Sequence, residues 1–101
     1  MLQPVRNSRF PLGEIRVTAE AKAVLSRRKI DRAIDRHSQG DWGDVDDETK
    51  AENNGGIGYS RLSICSKYPA EKGGVFWVMT LPERQQTMVM LGTLEESAAY
   101  S

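Results

Sequence analysis

Histidine and cysteine are almost missing from this chain, which holds one of each in 101 residues, His37 and Cys65. A closed zinc site draws on four such ligands and an internal disulfide on two thiols, so neither a metal centre nor a disulfide framework is expected. Net charge is missing as well. Fourteen Lys and Arg offset fourteen Asp and Glu, which removes the broad positive surface of a dedicated nucleic-acid binder and leaves a local basic patch as the only route to phosphate. No segment approaches the roughly 20 apolar residues of a membrane span. The first residues also lack the apolar run of a signal peptide, so the expected location is the cytoplasm. No glycine-rich phosphate loop follows a strand, so no cofactor is expected.

What is present fits one small folded unit. Hydrophobic residues make up 39% and charged residues 28% of the chain, a composition that supports one core without staples. Residues 1–9 are polar, contain Pro4 and show no periodicity, and read as a flexible arm. Residues 10–101 read as a single α+β domain.

Within that domain, Phe10 to Thr18 alternates Ile15 and Val17 with charged neighbours, the pattern of a short half-buried strand, and Pro11 confines its start to an edge. Thr18 suits a helix N-cap, with Glu20 in the first turn. Between Ala19 and Ser38 the apolar stripe changes phase. Ala21, Val24 and Leu25 mark one face, whereas Ile30, Ala33, Ile34 and His37 mark another, so the spacing predicts a two-helix hairpin joined near Ser26 to Lys29. Gly40 is placed to end the second helix. Asp46 to Asn53 then reads as a short polar helix, closed by Asn53-Asn54-Gly55-Gly56.

Beyond Gly58 the period changes to two. Tyr59 to Tyr68, Val75 to Thr80 and Thr87 to Leu91 predict a three-stranded antiparallel meander with turns at Pro69 to Gly74 and Leu81 to Gln86. Trp77 is expected in the core of the middle strand. Helices packed on a small sheet give an α+β architecture.

Scarce chemistry concentrates in Arg36-His37-Ser38-Gln39-Gly40-Asp41-Trp42-Gly43-Asp44. His37 shares a helix face with Ile30, Ala33 and Ile34, which predicts a buried neutral ring bonded to a carboxylate or carbonyl; a general base is the competing reading. Trp42, bracketed by Gly40 and Gly43, has two readings. Either it projects from a tight bend as a binding anchor with Asp41 and Asp44 as its polar rim, or it packs over the sheet edge. Arg61 and Arg84, with Arg36, either converge on a carboxylate or phosphate or pair with Asp41, Asp44 and Glu83. A nucleophilic Cys65 activated by His37 is the weakest alternative. The binding residues selected are Asp41, Trp42, Asp44, Arg61 and Arg84.

The order Phe10-Pro11-Leu12-Gly13, Arg36-His37, Gly40-Asp41-Trp42-Gly43, Asn53, Ser60-Arg61-Leu62, Trp77-Val78, Thr80 and Arg84 resembles a family of small bacterial proteins carried on plasmids and integrative elements. The resemblance spans residues 10–91. Where the family has an acid followed by Asp-Arg, this chain reads Leu81-Pro82-Glu83-Arg84 and lacks the first acid, and Gly92 to Ser101 also departs from the family pattern. Members sit among conjugation, plasmid-maintenance and restriction or anti-restriction genes, and some carry a restriction-subunit label. An adenine methyltransferase subunit of such a system would need a glycine-rich cofactor loop and an Asn-Pro-Pro motif, and this chain has neither.

The resemblance implies the setting of a mobile genetic element, and the absence of catalytic motifs in this sequence points to a non-enzymatic accessory protein that binds a host or element-encoded protein and modulates defence, maintenance or transfer. The element order also resembles ribosome-dependent mRNA interferase toxins, which makes an RNA-cleaving or RNA-binding protein the alternative.

Overall fold

The computed structural model describes residues 8–59, 61–71 and 73–92. Strand β1 (Glu14–Val17) leads into helices α1 (Ala19–Val24), α2 (Arg27–Ser38) and α3 (Asp47–Gly56). Strands β2 (Ile64–Pro69), β3 (Val75–Thr80) and β4 (Gln86–Gly92) follow, with a 3-10 turn at Pro82–Arg84. The described residues form the expected α+β fold, with three helices and a four-stranded sheet.

Side-chain caps set the helix boundaries. The Thr18 hydroxyl accepts the Ala21 N–H at 3.1 Å, and the Ser26 hydroxyl accepts the Lys29 N–H at 3.1 Å. Each satisfies a backbone donor that the first helical turn leaves unpaired. The hairpin therefore breaks at Leu25 and Ser26, at the start of the expected joint. Asp46 caps α3 by accepting the Thr49 N–H at 2.8 Å. That helix runs through Gly56 instead of closing at Asn53, because Asn53 and Asn54 turn their side chains to tertiary partners described below.

Sheet order is β1-β4-β3-β2. The meander β2, β3, β4 is antiparallel as expected, and β1 adds to β4 in parallel. The last strand thus lies between the first and the third. Rows Ser66–Val78–Val89–Val17 and Tyr68–Phe76–Leu91 face α1 and α2. With Ala21, Leu25, Ile30, Ala33 and Ile34 they form the main core. A second cluster joins Phe10, Trp42, Val45 and Ile64.

Three expectations need correction. Trp77 is half-buried and outside the main core, because alternation turns it away from Phe76 and Val78. Its ring packs at the margin of the second cluster, under the Lys67 ammonium at 5.3 Å, and fills the space left by the missing side chain of Gly92. Strand β2 starts at Ile64, not Tyr59, because the carbonyls of Tyr59 and Leu62 are bound by Arg84 and cannot join a ladder. Arg9, assigned to the arm, is tied down: its N–H donates to the Ser38 carbonyl at 2.9 Å. Residues 1–7, which make up most of that arm, and residues 93–101 lie outside the described residues. Among the described residues, no helix is long and apolar enough to cross a membrane.

Candidate functional site

Four residues brought together from α2, β2, β3 and β4 build a polar chain inside the molecule. His37, at no measurable exposure, places Nδ1 2.6 Å from the Ser66 hydroxyl and Nε2 2.8 Å from the Thr80 hydroxyl. Thr80 lies 2.8 Å from Thr87, whose hydroxyl donates to the Leu12 carbonyl at 2.7 Å.

Counting protons along this chain assigns the tautomer. Thr87 spends its only proton on Leu12, so Thr80 donates to Thr87, and Nε2–H of His37 must donate to Thr80. Nδ1 is then an acceptor for the Ser66 hydroxyl. Burial, with the nearby Arg84 charge as a lesser cause, lowers the His37 pKa to about 3. The ring is neutral and sealed, and both nitrogens are occupied. Its partners are hydroxyls rather than the carboxylate or carbonyl that the helix stripe predicted. A general base needs a free acceptor within reach of substrate, and this geometry offers none.

The Gly40 to Asp44 corner wraps the outer side of β2. Asp41 takes a two-point ion pair from Arg36, at 2.7 Å from Nε and 3.1 Å from Nη2, and this pairing holds its carboxyl below the ordinary range. The same guanidinium lies 4.6 Å over the Tyr68 ring, and Tyr68 donates its hydroxyl to the Asp41 carbonyl at 2.6 Å. Gly40 and Gly43 have φ of 83° and 70°. At Gly43 a Cβ would fall 2.1 Å from the Lys67 carbonyl, so only glycine lets the corner lie this close to the strand.

Trp42 therefore points inward. It is 4% exposed, packs with Phe10, Val45 and Ile64, and donates its indole N–H to Asn54 at 2.9 Å. The projecting-anchor reading of Trp42 is corrected by this burial: the two glycines permit an approach to β2, not an outward bend. Asp41 and Asp44 are exposed on either side of it.

Arg61 and Arg84 do not converge. Arg84 is 8% exposed and spends its guanidinium on the backbone, donating to the carbonyls of Gly56 and Tyr59 at 2.8 Å each and to that of Leu62. Neither the expected pairing with Glu83 nor a ligand cradle forms. Glu83 and Arg84 both have positive φ, 70° and 55°, a strained backbone that aims the Arg84 side chain under the loop. Arg61 is exposed on that loop with Tyr59 and Leu62, which are 67% and 52% exposed.

Cys65 points to the sheet face opposite His37, since its neighbour Ser66 makes the His37 contact. Burial pushes its thiol up to about 11, so no Cys–His pair exists. Among the described residues, no group of three or more His, Cys, Asp or Glu could hold a metal.

Asn53 is a residue that sequence reasoning missed as a structural key. Its side chain donates to the Cys65 carbonyl at 2.7 Å and accepts the Cys65 N–H at 3.1 Å. Its place in the residue order that carries the resemblance was a signal, but nothing local in the polar helix tied it to Cys65. Compared with protein-family models, with curated proteins and with solved structures, the chain finds no match.

Proposed function

We propose that this chain is a non-enzymatic protein-binding module whose contact surface is the loop between α3 and β2, with Tyr59, Arg61 and Leu62 as the contacting residues. The observation that carries the reading is the Arg84 clamp on Gly56, Tyr59 and Leu62. A loop containing Gly58 would otherwise lose much freedom on binding, and holding it beforehand lowers that cost. Trp42 and Asn53 brace the same helix end through Asn54 and Cys65. Tyrosine and arginine are residue types enriched at binding hot spots, and Leu62 adds apolar area. Trp42 and Arg84 are thus positioning residues, while Asp41 and Asp44 stand on the neighbouring exposed corner.

The partner is a host or element-encoded protein, and the module belongs to a bacterial mobile genetic element; this setting rests on the resemblance carried by the Gly40-Asp41-Trp42-Gly43 motif. A photo-crosslinking residue placed at Tyr59 should capture one partner in the producing cell, and the same residue at Glu20 should not. Purified partner should then bind Tyr59→Ala, Leu62→Ala and Arg61→Glu at least about tenfold more weakly, with unfolding curves unchanged. Wild-type binding by all three would reject the reading. Ribosome-dependent mRNA cleavage lost in Arg61→Ala would establish the interferase alternative.

A further inference from the structure

The two outer edges of the sheet are treated differently. On β2, every outward group of Cys65 and Lys67 is occupied. Asn53 takes both Cys65 groups, while Lys67 donates its N–H to the Trp42 carbonyl at 3.1 Å and accepts the Asp44 N–H at 2.7 Å. Pro69 ends the strand with no N–H to offer. That edge is closed to further pairing.

On β1, the Glu14 N–H donates to Gln85 at 2.9 Å and the Thr18 N–H to Val89 at 3.0 Å. Strand alternation then directs the backbone of Glu14, Arg16 and Thr18 toward β4 and that of Ile15 and Val17 outward. No described residue pairs with those outward groups. An edge of this kind is a template for an added strand.

We propose that β1 pairs antiparallel with β1 of a second copy of this chain, joining two sheets into one of eight strands. Self-complementary charge selects this occupant. Glu14 and Arg16 lie two residues apart on one face, both exposed and paired with each other within the chain at 3.0 Å, a pair that a facing copy would extend into an alternating four-charge cluster. In a two-fold register centred on Ile15, the Ile15 residues exchange both backbone hydrogen bonds, and Glu14 of each copy stands opposite Arg16 of the other. Opposite charges at directly facing positions favour such a pair, and like charges oppose it. Because the β2 edge is closed, addition stops at two copies, and the two-fold contact is closed rather than fibre-forming. The short strand makes the dimer weak and concentration-dependent.

Sedimentation equilibrium across micromolar to millimolar protein tests this with the full chain. Wild type should pass from monomer to dimer. Glu14→Arg and Arg16→Glu should each weaken dimerisation at least about tenfold by placing like charges opposite one another, and the double swap should restore it. Amide exchange at Ile15 and Val17 should slow as protein concentration rises. A wild-type monomer throughout, or a dimer indifferent to the single swaps, would overturn the proposal. So would an edge protected only by a different protein. None of these variants alters Tyr59, Arg61, Leu62 or Arg84, so failure here is distinguishable from failure of the loop as a binding surface.

Discussion

His37 Nε2 donates to the hydroxyl of Thr80, 2.8 Å away and 43 residues later in the chain. The bond fastens the last turn of α2 to the middle of the sheet, beside the edge-on contacts of the imidazole with Phe10 and Trp42 at 5.3 and 5.8 Å. One ring thereby links the main core to the second cluster. Its neutrality is a condition of that link, since an imidazolium would present a proton on Nδ1 where the Ser66 hydroxyl already donates.

Stability should therefore fall in mild acid. The unfolded chain takes up a proton near the ordinary histidine pKa of 6.5, whereas the folded chain resists it until about pH 3. The His37 contribution is complete above about pH 6.5 and is lost as pH drops toward 3, with a slope of at most about 1.4 kcal/mol per pH unit. Urea unfolding at pH 7.5, 6 and 5 should show the loss. The slope between pH 6 and 5 should flatten in His37→Gln, a window above the lowered Asp41 and Asp46 titrations.

Trp42→Ala should destabilise the fold by about 3–5 kcal/mol, the cost of removing a large buried aromatic. Trp42→Phe should lose less, keeping ring packing while leaving Asn54 without its donor. Chemical unfolding of both variants checks the order, and an unchanged midpoint for Trp42→Ala would contradict the inward placement of the ring.

Arg84→Met should free the loop from below. The expected cost is about 1–3 kcal/mol, with faster amide exchange at Ile57, Tyr59 and Leu62 and little change in Val78 or Val89. Exchange measured by NMR separates this local loosening from global destabilisation.

Gly43→Ala should cost about 1–3 kcal/mol from backbone strain alone, and more from the contact with the Lys67 carbonyl. Its clearest sign is loss of protection at the Lys67 amide, whose acceptor is the Trp42 carbonyl. Thermal unfolding with residue-resolved exchange tests both effects.

The architecture was legible where local chemistry and tertiary structure agree. Thr18 and Ser26 cap helices through their own hydroxyls, and the short apolar run from Val75 to Met79, bounded by turns, reads as a central strand. Parallel pairing of β1 with β4 was not legible, because no local signal links Ile15 to Thr87, 72 residues later in the chain. The inward turn of Trp42 was hidden for a related reason. Gly40 and Gly43 advertise an unusual backbone, yet whether that backbone bends out or lies against a strand depends on Lys67 and Tyr68. Arg84 was selected for its charge, while its role depends on three carbonyls, groups every residue carries and no sequence distinguishes.

Placement of β4 between β1 and β3 has a consequence for how the chain acquires its shape. During synthesis the first strand emerges early and waits for the last, so β1 has no neighbour until residues near 92 have left the ribosome. The β2–β3 hairpin can close locally, but β4 must then enter between it and a strand roughly 70 residues upstream. Such long loop closure slows folding, and it postpones formation of the core until β4 has emerged. A chain cut off before Gln86 would keep its helix caps and one hairpin, yet would strand Ile15 and Val17 without a sheet to join.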